Sequence, residues 1–77
     1  MSYQQILLRS AVDDFNVMLT AQGMEDAGAT VISVFPVRDW FQVLCSYDPD
    51  ESTPDDIDER IGKQIDMHHS KHVDTIA

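Results

Sequence analysis

Three histidines fall within five positions, at 68, 69 and 72, in the stretch DMHHSKH, and the chain has no others. Imidazole nitrogens are common zinc ligands, so the spacing has to be tested for metal chemistry first. On a helix His68 and His72 are i,i+4 neighbours, close enough for both rings to reach one ion across a turn. The metalloprotease motif needs a glutamate directly after the first histidine, but position 69 is His. Two ligands do not complete a zinc site, and the third would have to come from His69 through helix distortion, from a distant carboxylate or from a second chain. The plainer reading is that the histidines finish an amphipathic helix. Ile57, Ile61 and Ile65 recur every four residues, and continuing at about 100° per residue puts His68, His72 and then Ile76 on the same stripe, with His69 at its margin. Packing or interfacial histidines are therefore expected. A metal-dependent enzyme or metal-binding protein using His68 and His72 stands as the competing class.

The other groups with reactive chemistry lead to the same place. Cys45 is the single cysteine, which leaves no internal disulfide or Cys-rich zinc site, and its position in an apolar stretch makes it a packed thiol. The pairs Asp13–Asp14 and Asp55–Asp56 are adjacent in sequence, so neither automatically flanks a substrate from opposite sides; both read as helix starts. No nucleophile–base pair, cofactor motif or complete metal set is legible. The expectation is a protein that is no enzyme and needs no cofactor.

Charge sets the next constraint. The chain of 77 residues has a formal net charge of −9, which disfavours direct contact with nucleic acid or an anionic membrane. Residues 48 to 59, DPDESTPDDIDE, hold seven acids and no base: Asp48, Asp50, Glu51, Asp55, Asp56, Asp58 and Glu59. Such a run is usually a solvated face, and here it also begins a helix. Its sharper reading is an acidic nucleic-acid mimic that inhibits a basic nucleic-acid-binding protein. The chain shows no secretory leader and no apolar run of about 18 residues, so a soluble, cytoplasmic protein is expected.

The elements that would position these residues make one small domain over 1–77, with 48–53 as an acidic linker. YQQILLR at 3–9 reads as a strand with Ile6 and Leu8 on one face and Leu7 on the other. Ser10 looks like the cap of a helix over 11–27 whose stripe is Val12, Phe15 and Leu19, and which stops at Gly28. ATVISVFPV at 29–37 and WFQVLCSY at 40–47 read as a hairpin, with Pro36 at an edge or a strand end. In the second of these strands Phe41, Val43, Cys45 and Tyr47 oppose Trp40, Gln42, Leu44 and Ser46. In the first, Val31, Phe35 and Val37 oppose Ile32 and Val34. TPDD at 53–56 starts a helix over 54–72, with Thr53 as cap and Pro54 at its first position. The fold class is α+β: a β-α-β-β-α domain with a three-stranded mixed sheet and two helices.

Neither hairpin strand has a cleanly polar face, so something must cover the second side of the sheet: the C-terminal helix, another subunit or a client protein. Residues 12–36, VDDFNVMLTAQGMEDAGATVISVFP, resemble a group of small bacterial and phage domains. In those domains a helix rich in Leu, Asn and Glu leads through a glycine to a strand like WELVSV. Here Gly28 holds the glycine position and TVISV the strand; the pattern departs at Met24, where it favours Leu, and at Ala29, where it favours Trp. The resemblance covers about 3–47, implies the fold and brings no catalytic residue with it. The functional expectation is a non-enzymatic protein–protein interaction or regulatory protein acting through an apolar and acidic surface, with a second copy as its first expected partner, in a homodimer, and a basic protein as the other. The interaction candidates are Trp40, the seven acids above, the Ile57–Ile61–Ile65 stripe, His68 and His72.

Overall fold

The computed structural model describes the backbone of residues 3–76 and the side chains of residues 3–68. The chain forms β1 (Gln5–Ala11), α1 (Asp14–Asp26), β2 (Thr30–Val37), β3 (Trp40–Tyr47) and α2 (Pro54–Ile76). It is the α+β β-α-β-β-α domain that the periodicity predicts. The sheet order is β1-β3-β2, with both ladders antiparallel, so β3 lies in the middle and β1 and β2 are the edges.

Both helices lie on one side of the sheet. The core forms there from Met24 of α1, Val43, Cys45 and Tyr47 of β3, Ile57 of α2 and Ala29. Burying each large side chain of this kind contributes about 1.5–3 kcal/mol. Alternation along β3 sends Val43, Cys45 and Tyr47 into this layer and Trp40, Gln42, Leu44 and Ser46 away from it. The smallest Cα dimension is 14 Å, enough for one sheet and one helix layer spaced about 10 Å apart. α2 packs chiefly against α1, so it does not cover the second sheet face.

Four local features differ from expectation. β1 begins and ends two residues later than the 3–9 reading because Ser10 and Ala11 continue the ladder opposite Gln42 and Phe41. The helix cap is consequently Asp13 and not Ser10: its Oδ1 accepts the Asn16 backbone N–H at 2.8 Å, and α1 starts at Asp14. The buried stripe of α1 is also not Val12, Phe15 and Leu19. Leu19 is buried, but Val12 and Phe15 are exposed, and the inward face runs through Thr20, Gly23 and Met24. In β2 a bulge between Val31 and Ser33 inserts one residue and reverses the alternation. Val31 therefore registers with buried Cys45, whereas Phe35 and Val37 register with Gln42 and Trp40 on the opposite face.

Gly23 sits where the helices cross. A Cβ built on it would lie 2.5 Å from the Cα of Ile61, so the absence of a side chain is what allows the close approach. α1 then ends at a left-handed glycine as expected. Gly28 has φ +93°, its N–H donates to Glu25 O, and the Ala29 N–H donates to Met24 O. These two bonds, with Met24 and Ala29 both buried, make a Schellman stop. The hairpin turn is Arg38–Asp39, between paired Val37 and Trp40, and Arg38 holds φ 55°, a conformation that favours glycine. Pro36 lies on edge strand β2, where its missing N–H breaks no central ladder.

Candidate interaction surface

Register determines what the uncovered sheet face presents. β1 supplies Ile6, Leu8 and Ser10, and β3 supplies Ser46, Leu44 and Gln42 directly opposite them. β2 adds Thr30, Ser33, Phe35 and Val37, which pair with Ser46, Leu44, Gln42 and Trp40. None of these side chains is charged, although 25% of the chain is Asp, Glu, Lys or Arg. The large residues are open to solvent: Ile6 is 62% exposed, Leu8 43%, Phe35 38% and Trp40 36%. At the centre, Gln42 Nε2 donates to Ser10 Oγ at 3.0 Å, while its Oε1 is sealed from solvent with no hydrogen-bond partner.

Trp40 lies on this face, opposite the side that takes Phe41. Ile6, Leu8, Phe35 and Leu44 lie there with it, and sequence reasoning did not single them out as interaction residues. Strand alternation placed Ile6 and Leu8 together, but the bulge at Ile32 hid the fact that Phe35 and Val37 share their face.

The acidic segment is folded into the chain's own structure. Asp48 Oδ1 accepts the Asp50 N–H at 2.9 Å, and its carbonyl accepts from Glu51 and Ser52, forming a turn. Thr53 Oγ1 accepts the Asp56 N–H at 3.2 Å and Asp56 Oδ2 accepts the Thr53 N–H at 3.0 Å, a reciprocal capping box at the start of α2. Asp58 receives two bonds from Arg9, at 2.6 and 2.9 Å, which fasten α2 to β1. This hydrogen bonding holds the Asp58 carboxyl below its ordinary pKa and raises that of Arg9. Glu59 lies 3.4 Å from Lys63 one turn on. Asp50, Glu51 and Asp55 are exposed. Asp48, Asp56, Asp58 and Glu59 thus serve a turn, a cap and two ion pairs.

The isoleucine stripe of α2 loses its cover along the helix. Ile57 is fully buried, Ile61 is half-buried and Ile65 is exposed. The cause is length, since α2 has 23 residues and α1 only 13. His68 is half-buried and meets Phe15 edge to face, with ring centroids 5.7 Å apart, so it packs at the N-terminal end of α1. His69 and His72 lie outside the residues whose side chains are described. Among the described residues no three His, Cys, Asp or Glu side chains are grouped as metal ligands. Cys45 is a buried free thiol whose pKa burial pushes up, the environment of a packed cysteine. Among the described residues no helix is long and apolar enough to cross a membrane.

No family model, curated protein or solved structure matches this chain.

Proposed function

We propose that the chain is a non-catalytic protein-binding module whose contact surface is the uncovered face of the sheet. The supporting observation is the uncharged character of that face in an acidic chain. A solvated sheet face normally carries the polar half of an alternating pattern, and a contiguous exposed apolar patch marks an interaction site. Ile6, Leu8, Leu44, Phe35, Val37 and Trp40 form such a patch. The helix layer on the other side carries the acids, which keep the molecule soluble and bias encounter towards less acidic or basic partners. Affinity capture from the native cell tests this reading with three baits: wild type, Phe35→Glu on the sheet face, and a variant with Asp50, Glu51 and Asp55 replaced by amides. Loss of the captured protein with the first variant and its retention with the second is the expected result. The reverse pattern would move the contact to the acidic side.

A further inference from the structure

We infer that the open sheet face is occupied by a second copy of this chain, stacked face to face through a twofold axis. The inference rests on the reading of that face as a contact surface and names its occupant.

Charge is the first reason. Two copies each carrying −9 repel wherever acids meet acids, as they would if the 48–59 segments or helix layers approached one another. The sheet face has no charge on any of its register positions, so two copies meet there without placing like charges in contact.

The second reason is the pattern. Register lays out an apolar band that runs diagonally from Ile6 and Leu8 on one edge strand, through Leu44 in the centre, to Phe35, Val37 and Trp40 at the opposite corner. Ser10 occupies one remaining corner, and Thr30 with Ser33 the other. A twofold axis lying in the contact plane, along or across the band, lays the band of one copy on the band of the other and sends the hydroxyls to the rim. An apolar centre with a polar border is the anatomy of a specific interface, and self-complementarity is what an isologous dimer requires. Aligned packing of two sheets at about 10 Å accommodates it. Gln42 Oε1, inside the band, is already desolvated before any partner arrives.

Area is the third reason. Strands of seven or eight residues spaced about 4.8 Å apart give a face about 15 Å by 25 Å. With side-chain relief, a stacked pair buries about 1,000 Å² in total, which reaches the lower bound for a specific interface. A small domain gains proportionately from such cover.

Sedimentation equilibrium of the full chain across micromolar concentrations tests the inference, with Leu8→Glu, Leu8→Lys and, as a control on the helix side, Val12→Glu. Leu8 and Val12 are both exposed within one copy, so folding is retained and is checked by circular dichroism. If either Leu8 variant unfolds, the more exposed Ile6→Lys replaces it. The expected result is a wild-type mass of twice 8.7 kDa, association weakened about 100-fold or more by both Leu8 substitutions, and no change with Val12→Glu. Using both signs of charge separates a local contact from net repulsion, because lysine makes the chain less negative and glutamate makes it more negative. A wild-type monomer at every concentration overturns the inference, as does a dimer that survives both Leu8 changes or one broken by glutamate alone. A monomer that still captures a client through Phe35 would leave the proposed function standing, whereas failure of both would remove the face as a contact surface.

Discussion

Replacing Gly23 with alanine should destabilise the domain, although alanine is the better helix former. The added Cβ would lie 2.5 Å from the Cα of Ile61, 2.6 Å from its N and 2.8 Å from its Cγ1. Two of these are backbone atoms, which no rotamer change can move. Restoring ordinary contact requires the helices to separate by about 1 Å, which loosens the packing of Leu19, Met24 and Ile57, all buried beside the crossing. Overpacking of this kind costs about 1–3 kcal/mol and helix propensity returns about 1 kcal/mol, so with a rigid backbone on the far side the net loss falls near the upper end, about 2 kcal/mol. For a domain of this size that lowers Tm by about 8–16 °C. Gly62 on α2 is the matched control, because a Cβ there meets nothing within 4 Å. Gly62→Ala should gain up to about 1 kcal/mol and raise Tm by about 4–8 °C. Thermal melts followed by far-UV circular dichroism read both variants. Equal stabilisation by the two substitutions would refute the close crossing at Gly23.

Two further outcomes follow from local geometry. Arg38 holds φ 55° in the hairpin turn, so Arg38→Asn, which tolerates that conformation, should raise Tm by a few degrees, and Arg38→Val should lower stability by about 1–2 kcal/mol in denaturant titration. The Arg9–Asp58 pair depresses the Asp58 pKa, so its contribution is complete above the ordinary carboxylate range and is lost as pH falls through the lower folded-state value. Because both side chains are about a third or more exposed, Asp58→Asn should cost only about 0.5–1 kcal/mol at neutral pH, with the difference from wild type shrinking in urea titrations below about pH 4.

Much of this architecture is legible in the sequence because several residues admit one local answer. Thr53 and Pro54 mark the start of α2, Gly28 marks the stop after α1, and Trp40 to Tyr47 alternates cleanly enough to fix the faces of β3. The start of α1 differs from the expected one because Ser10 has the chemistry of a cap, while ladder pairing of Ser10 and Ala11 with β3 is a long-range effect. Its buried face differs from the hydropathy stripe because the contact with α2 uses Gly23, and buried Thr20 lies on that face, neither of which hydropathy registers, while Phe15 and Met18 stay exposed. The bulge in β2 was invisible because Val31, Ile32 and Val34 suit either side of a sheet equally well. That one-residue shift conceals two of the six patch residues: it moves Phe35 and Val37 to the face shared by Leu8 and Leu44. The acids presented the opposite difficulty. They stand out in sequence, but the roles of Asp48, Asp56 and Asp58 within the fold depend on partners that spacing alone does not reveal.

On the proposed function, the uncharged sheet face is covered by protein when the molecule works. The most direct test is photo-crosslinking in the native cell from a benzoylphenylalanine at position 35, on that face, compared with one at position 55, on the exposed start of α2. A discrete adduct is expected from position 35 and none of comparable yield from position 55. Adducts from position 55 with none from position 35 would contradict it.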